Sequence, residues 1–190
     1  MLQALNEMQE VCDFPLSKIV YVMTDFTESN FKFWKDHPGL APFIASGQLD
    51  IAIFDAVNDT SITLHHSKVT IAPGSVKNPL CVVANYLFDS LSQDGFKVED
   101  GELSEVLCHR DDDEKLVFTT RPLSGPAYGV QEYDSVLQAY SQELGNTHFP
   151  FPVGPLKCLS KLGESSGNRF ILAMSDKALR TTEDLHDFKQ

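Results

Sequence analysis

Residues 19–27 read Ile-Val-Tyr-Val-Met-Thr-Asp-Phe-Thr. The first five are apolar and rich in β-branched side chains, with no polar alternation. Such a run suits a strand buried on both faces, as parallel sheets require. It closes on Asp25. Residues 49–56, Leu-Asp-Ile-Ala-Ile-Phe-Asp-Ala, read as a second strand that also closes on an acid, Asp55. Between the two, Thr27 is expected to cap a helix that carries Phe31 and Trp34 on one face and breaks near Pro38-Gly39. A shorter helix through Pro42–Ala45 stops at Gly47. This spacing leaves room for a crossover, so the pair predicts a right-handed βαβ unit and an α/β fold.

Working outward, residues 4–11 place Leu5, Met8 and Val11 at helical spacing, and Asp13 to Pro15 end that segment. Residues 57–79 are polar, with turns at Pro73-Gly74 and Asn78-Pro79, and predict a loop with a short edge element. Residues 80–88, Leu-Cys-Val-Val-Ala-Asn-Tyr-Leu-Phe, form a third apolar run, with Asp89 just past it. The period then changes. Phe96–Glu99 and Leu103–Leu107 alternate around Asp100-Gly101, which predicts a hairpin, extended by a strand over 116–120. Val136, Leu137, Tyr140 and Leu144 mark a helix ended by Gly145. Val153, Leu156, Leu159 and Leu162 mark another, with Gly163 beyond it. Residues 170–174 read as a last buried strand, followed by Asp176.

The chain has 190 residues, 42% hydrophobic and 22% charged. Those are ordinary globular values, which exclude disordered and fibrous classes. Fifteen Lys and Arg stand against 27 Asp and Glu, a net charge of −12. A field of that sign opposes nucleic-acid and anionic-membrane partners. The first fifteen residues lack a basic n-region, and no stretch reaches the length of a membrane span. Cys12, Cys81, Cys108 and Cys158 have no zinc-ligand spacing. They read as reduced thiols, which predicts a cytoplasmic protein. No metal site is expected: Asp111–Glu114 is a solvated turn without the spaced ligands of a calcium loop.

Four apolar runs therefore end in aspartate: Asp25, Asp55, Asp89 and Asp176. Open α/β sheets bind ligands outside the carboxyl ends of their strands, where a carboxylate accepts from ribose hydroxyls or an adenine amine. Aspartate after a strand also serves simply to cap turns. No G-x-G-x-x-G or Walker segment supplies a phosphate cradle. No G-x-S-x-G elbow supplies a nucleophile. His65 and His66 read as surface residues. Asp25-Phe26-Thr27 resembles the nucleophile loop of haloacid-dehalogenase-like phosphatases, a competing reading that needs Mg²⁺ and further carboxylates.

Three stretches, Tyr21–Asn30, Phe54-Asp55-Ala56 and Val83–Asp94, resemble class I S-adenosylmethionine-dependent methyltransferases of the MidA type. Val-Ala-Asn-Tyr-Leu-Phe-Asp-Ser (83–90) is the distinctive part and matches an uncharacterised branch of that group. The group includes arginine-methylating assembly factors of respiratory complex I. The resemblance implies a Rossmann-like methyltransferase sheet, mostly parallel, with 96–120 as an inserted antiparallel hairpin. It implies that Asp25 holds the cofactor's ribose and that Asp55 and Ala56 face its adenine. Asn85, Tyr86 and Asp89 fall at the reacting end. The implied cofactor is S-adenosylmethionine, and the implied partner is a basic protein whose arginine is oriented by Asp89 with Glu102 or Glu105.

The departures are specific. Tyr86 stands where the family has Glu, and Ser92 where it has Pro. The family's first strand and its glycine-rich E-x-G-x-G loop have no counterpart. Residues 1–190 are therefore expected to form one partial methyltransferase-like domain lacking its first strand. The alternative within that fold is a non-catalytic protein that binds a partner.

Overall fold

In the computed structural model, the runs at 19–27 and 49–56 become neighbouring parallel strands. Strand β1 (Tyr21–Asp25) pairs with β2 (Leu49–Ile53), in register from Tyr21 opposite Leu49 to Asp25 opposite Ile53. The structure describes residues 2–9, 11 and 18–177. The expected break at Asp13–Pro15 lies outside them. A short helix α1 (Leu2–Gln9) precedes β1, and α2 (Glu28–Asp36) and α3 (Ala41–Ala45) form the crossover. The architecture is α/β.

The chain divides into two compact units. One takes the described parts of Met1–Cys81 together with Ser160–Ile171; the other takes Val82–Leu159 and the described part of Leu172–Gln190.

In the first unit, β2 is buried along Leu49 to Ala52, on both faces, as its unalternated sequence requires. Ile51 is wholly buried, a burial that stabilises by about 1.5–3 kcal/mol. A hairpin of β3 (Ile62–Thr63) and β4 (Thr70–Ile71) supplies the expected edge element. Ala52, Ile62 and Leu64 make the core there, with Val22, Phe54 and Ile71 packed on it. Asp50 is a buried charge in this strand, 3% exposed. Its carboxylate accepts the backbone N–H groups of His66 and Ser67 at 2.8 and 2.9 Å, which ties the hairpin turn to the strand.

The second unit holds a four-stranded antiparallel sheet in the order β8 (Leu116–Pro122), β7 (Glu102–Arg110), β6 (Asp94–Glu99), β9 (Thr147–Phe151). The 96–120 hairpin is thus larger than its sequence suggests, because Thr147–Phe151 joins it. Pro150 hid that strand, since proline lacks the N–H of a central strand. It is tolerated because β9 lies at the edge of the sheet. Phe96, Val98, Phe149, Phe151, Leu137 and Leu144 form the core with Val153, and α4 (Gln131–Glu143) supplies Leu137. Phe96 stacks on Phe149 at 5.9 Å and Tyr128 on Phe151 at 5.3 Å. Asp100 and Gly101 both take positive φ, 52° and 82°, as a two-residue hairpin turn requires.

Strand β5 (Leu80–Asn85) pairs with β10 (Phe170–Ser175). Leu80 N–H donates to the Arg169 carbonyl and Tyr86 N–H to that of Ser175, a constant offset, so the two run parallel. Helix α5 (Val153–Ser166) runs past Gly163, the expected stop. The true stop is Gly167-Asn168, both at φ 61°. No helix among the described residues is long and apolar enough to cross a membrane.

Candidate functional site: acidic turns at the strand ends

Asp25 closes β1, and its carboxylate organises the turn that follows. Oδ1 accepts the Thr27 N–H at 2.7 Å and the Thr27 hydroxyl at 2.6 Å; Oδ2 accepts the Asn30 amide at 2.8 Å. This displaces the expected cap. Thr27 sits at the N-cap of α2 but makes no capping bond, because its hydroxyl donates to the carboxylate instead. Burial raises the Asp25 carboxyl, but the bonds from Thr27 and Asn30 outweigh it and hold the group below the ordinary carboxylate range.

Asp55 lies two residues past β2 and repeats the device. It accepts the Val57 and Asn58 N–H groups at Oδ1 and the Asn58 amide at Oδ2, each at 2.9 Å. The Asn58 side chain is the first cause of its lowered pKa, followed by the two backbone bonds. Ala56 beside it is buried, 8% exposed. The two acids occupy adjacent strand ends: Phe54 N–H donates to the Asp25 carbonyl at 2.9 Å.

In the second unit, Asn85 ends β5 and is exposed. Tyr86 follows at φ 51°, a left-handed conformation uncommon for an aromatic residue, with 60% of its surface exposed. Asp89 lies in the short turn Phe88–Ser90, and Asp176 brackets that turn. One oxygen of Asp176 accepts the N–H groups of Phe88 and Asp89 at 2.8 and 3.2 Å. Desolvation first, then Asp176, raise the Asp89 carboxyl. Asp176 is desolvated too, but the backbone donors of Asp89 and Phe88 lower it. The negative charge of Asp176 thus adds to desolvation in favouring the protonated form of Asp89.

The other acids of the sequence reading are elsewhere. Glu102 faces Glu99 beside the hairpin turn, and Glu105 is ion-paired to Arg121. Neither has a hydrogen bond or ion pair to Asp89 among the described residues. His65 sits edge-on to Phe31 at 5.0 Å and to His66 at 4.8 Å. Among the described residues, no group of three or more His, Cys, Asp or Glu could hold a metal ion.

Sequence reasoning missed a cavity of about 470 Å³ on the antiparallel sheet. Asp94, Phe96, Glu105, Arg121 and Tyr128 line it, with Pro122 at the end of β8 and the loop 123–127. Its signal was the Pro- and Gly-rich stretch 122–129, which has no phosphate-loop pattern. The side chains opposite it come from strands distant in sequence, so spacing could not collect them.

No family profile and no curated protein matches the chain. Among solved structures it is similar to a COG1565 superfamily member and "likely methyl transferase" from Burkholderia thailandensis, bound to S-adenosyl-homocysteine. The TM-score is 0.47 at 15% identity, over 75% of this chain and 30% of that one. The chain thus spans about a third of that protein's length, and a likeness of this degree does not place it in a family.

Proposed function

We propose that the chain is a methyltransferase-like protein that uses S-adenosylmethionine and acts on an arginine side chain of a basic protein in the cytoplasm. The observation that carries this reading is the pair Asp25 and Asp55 at the carboxyl ends of adjacent parallel strands, where open α/β sheets take nucleotide-like ligands. The acceptor set fits a nucleoside. A carboxylate offers about four acceptor sites. Asp25 and Asp55 each use three on their own turns, which leaves one on each Oδ2 for a hydroxyl or amine. The local bonds also fix the direction of that last site, so little side-chain entropy is lost on binding.

When bound, the sulfonium cofactor supplies an electrophilic methyl group. The residues of the chain bind and orient. Asp25 and Asp55 hold hydroxyl and amine groups. By the resemblance alone, Asn85, Tyr86 and Asp89 are assigned to the methyl acceptor, where orientation matters more than proton transfer. The Asp89–Asp176 pair can take up one proton. The net charge of −12 favours a basic acceptor protein.

One observation favours the second reading, a non-catalytic protein of this fold that binds a partner. The turns around Asp25 and Asp55 are already satisfied without any ligand. Titration of the 190-residue chain with S-adenosylmethionine by calorimetry separates the two. Saturable binding that weakens in Asp25→Ala and Asp55→Ala supports the cofactor reading. Absence of binding overturns it.

A further inference from the structure

The cavity on the antiparallel sheet has its own chemistry. Two carboxylates, Asp94 and Glu105, one guanidinium, Arg121, and two aromatic rings, Phe96 and Tyr128, share its lining. Each carboxylate uses one oxygen. Asp94 Oδ2 accepts the Tyr128 hydroxyl at 2.8 Å, and Glu105 Oε2 accepts from Arg121. Asp94 Oδ1 and Glu105 Oε1 have no protein partner among the described residues. The lining carries a net charge of −1. Asp134 adds to the negative field: it accepts the Tyr128 N–H at 3.0 Å. Desolvation, the bond to Asp94 and the charges of Asp94, Glu105 and Asp134 all push the Tyr128 phenol upward.

An anion here would meet two carboxylates, and a neutral ligand would leave their free oxygens without a charged donor. A cation with N–H groups suits both oxygens through charge-assisted hydrogen bonds. Phe96 is 2% exposed and belongs to the core, so its ring is not open to a ligand; the half-buried Tyr128, stacked on Phe151, offers apolar contact to an alkyl stem. We propose that this cavity binds an organic cation, an alkylammonium or guanidinium group, through the free oxygens of Asp94 and Glu105 beside the ring of Tyr128. The group can belong to a free amine or to a Lys or Arg side chain of a protein. The site stands whether or not the chain binds S-adenosylmethionine.

The test is calorimetric titration of the 190-residue chain with propylguanidinium, with an arginine-centred tripeptide and with its citrulline counterpart. Saturable binding of the guanidinium probes and none of citrulline is expected. Asp94→Asn and Glu105→Gln should each weaken binding about tenfold, the scale of one hydrogen bond to a charged group. Near-UV circular dichroism verifies that both variants keep their packing. Arg121→Met should tighten binding, because it frees Glu105; Arg121 is 65% exposed, so the fold does not depend on it. Tighter binding of the tripeptide than of propylguanidinium assigns a protein side chain, and the reverse assigns a free amine. No saturable binding of any probe at millimolar concentration, or weaker binding in Arg121→Met, overturns the proposal.

Discussion

The Asp176 carboxylate accepts the Asp89 backbone N–H at 3.2 Å, and desolvation together with that same carboxylate raises the carboxyl of Asp89. One residue is thus tied to an aspartate through its main chain and set against it through its charge. Eighty-seven positions separate them, and the parallel pairing of β5 and β10 brings the two strand ends together.

That geometry gives the pair a signed pH dependence. Asp89 is raised, so the stability it contributes is present at low pH and lost as pH rises through its folded pKa. Asp176 is lowered, so its contribution is lost only as pH falls further. Above both pKa values the two charges repel. Asp89→Asn keeps a donor toward Asp176 without the second charge. It should raise Tm at pH 7, and the gain should shrink as pH drops into the acid range. Calorimetric Tm profiles of both proteins over pH 4–8 check this; a Tm gain that grows on acidification would refute the repulsion.

Asp50 carries a different prediction, about folding alone. It is the buried acid of β2 and accepts three backbone N–H groups, from Ile51, His66 and Ser67. Burial opposes its charge, but these donors and the Ser67 side chain hold its pKa down to about 2. Asp50→Ala leaves two loop N–H groups without their acceptor, at a cost of about 3 kcal/mol. Chemical denaturation at pH 7 measures it. A lowered folded pKa means stability present above the unfolded value and lost as pH falls from about 4 toward about 2. Asp50→Asn should flatten that acid limb.

What the sequence disclosed follows from how local each signal is. The unalternated runs at 19–23 and 49–53, the Asp100-Gly101 turn and the period of α4 were legible because pattern and structure lie within a few residues. Thr147–Phe151 was not, because Pro150 argues against a strand unless the edge is known. Thr27 was legible as a helix start, but its hydroxyl's choice of Asp25 over the backbone was not. The acids at the strand ends could be named from sequence. The pairing of Asp89 with Asp176 and of Asp94 with Tyr128 could not, since each joins residues more than thirty positions apart.

Gly154 carries a third prediction. Its N–H donates to the Ser92 carbonyl at 2.9 Å, and a Cβ there would stand 2.8 Å from that oxygen, 2.8 Å from the Ser92 hydroxyl and 2.9 Å from the Ser92 nitrogen. Two of these neighbours are backbone, so no rotamer change relieves the clash. Gly154→Ala should destabilise by about 1–3 kcal/mol despite alanine's higher helix propensity. Adding Ser92→Ala should not restore the loss. Urea denaturation of the single and double variants decides it; recovery in the double variant would place the clash on the serine hydroxyl.

Tyr86 joins stability to function. It holds φ at 51°, where a side chain costs roughly 1–2 kcal/mol relative to the right-handed region. Its ring is 60% exposed, so no core contact offsets that cost. Its N–H is used, donating to Ser175 at 3.0 Å, which fixes the strained turn between β5 and Phe88. Strain of this kind persists where the side chain must project in a set direction. Asn tolerates the left-handed region and has little packing to lose here. Tyr86→Asn should therefore gain up to about 1 kcal/mol in urea denaturation. If the ring serves the acceptor side of the proposed site, the stabilised variant should keep its affinity for S-adenosylmethionine and lose affinity for an arginine-bearing protein substrate. A variant neither more stable nor changed in either affinity would show that Tyr86 is a turn residue and nothing more.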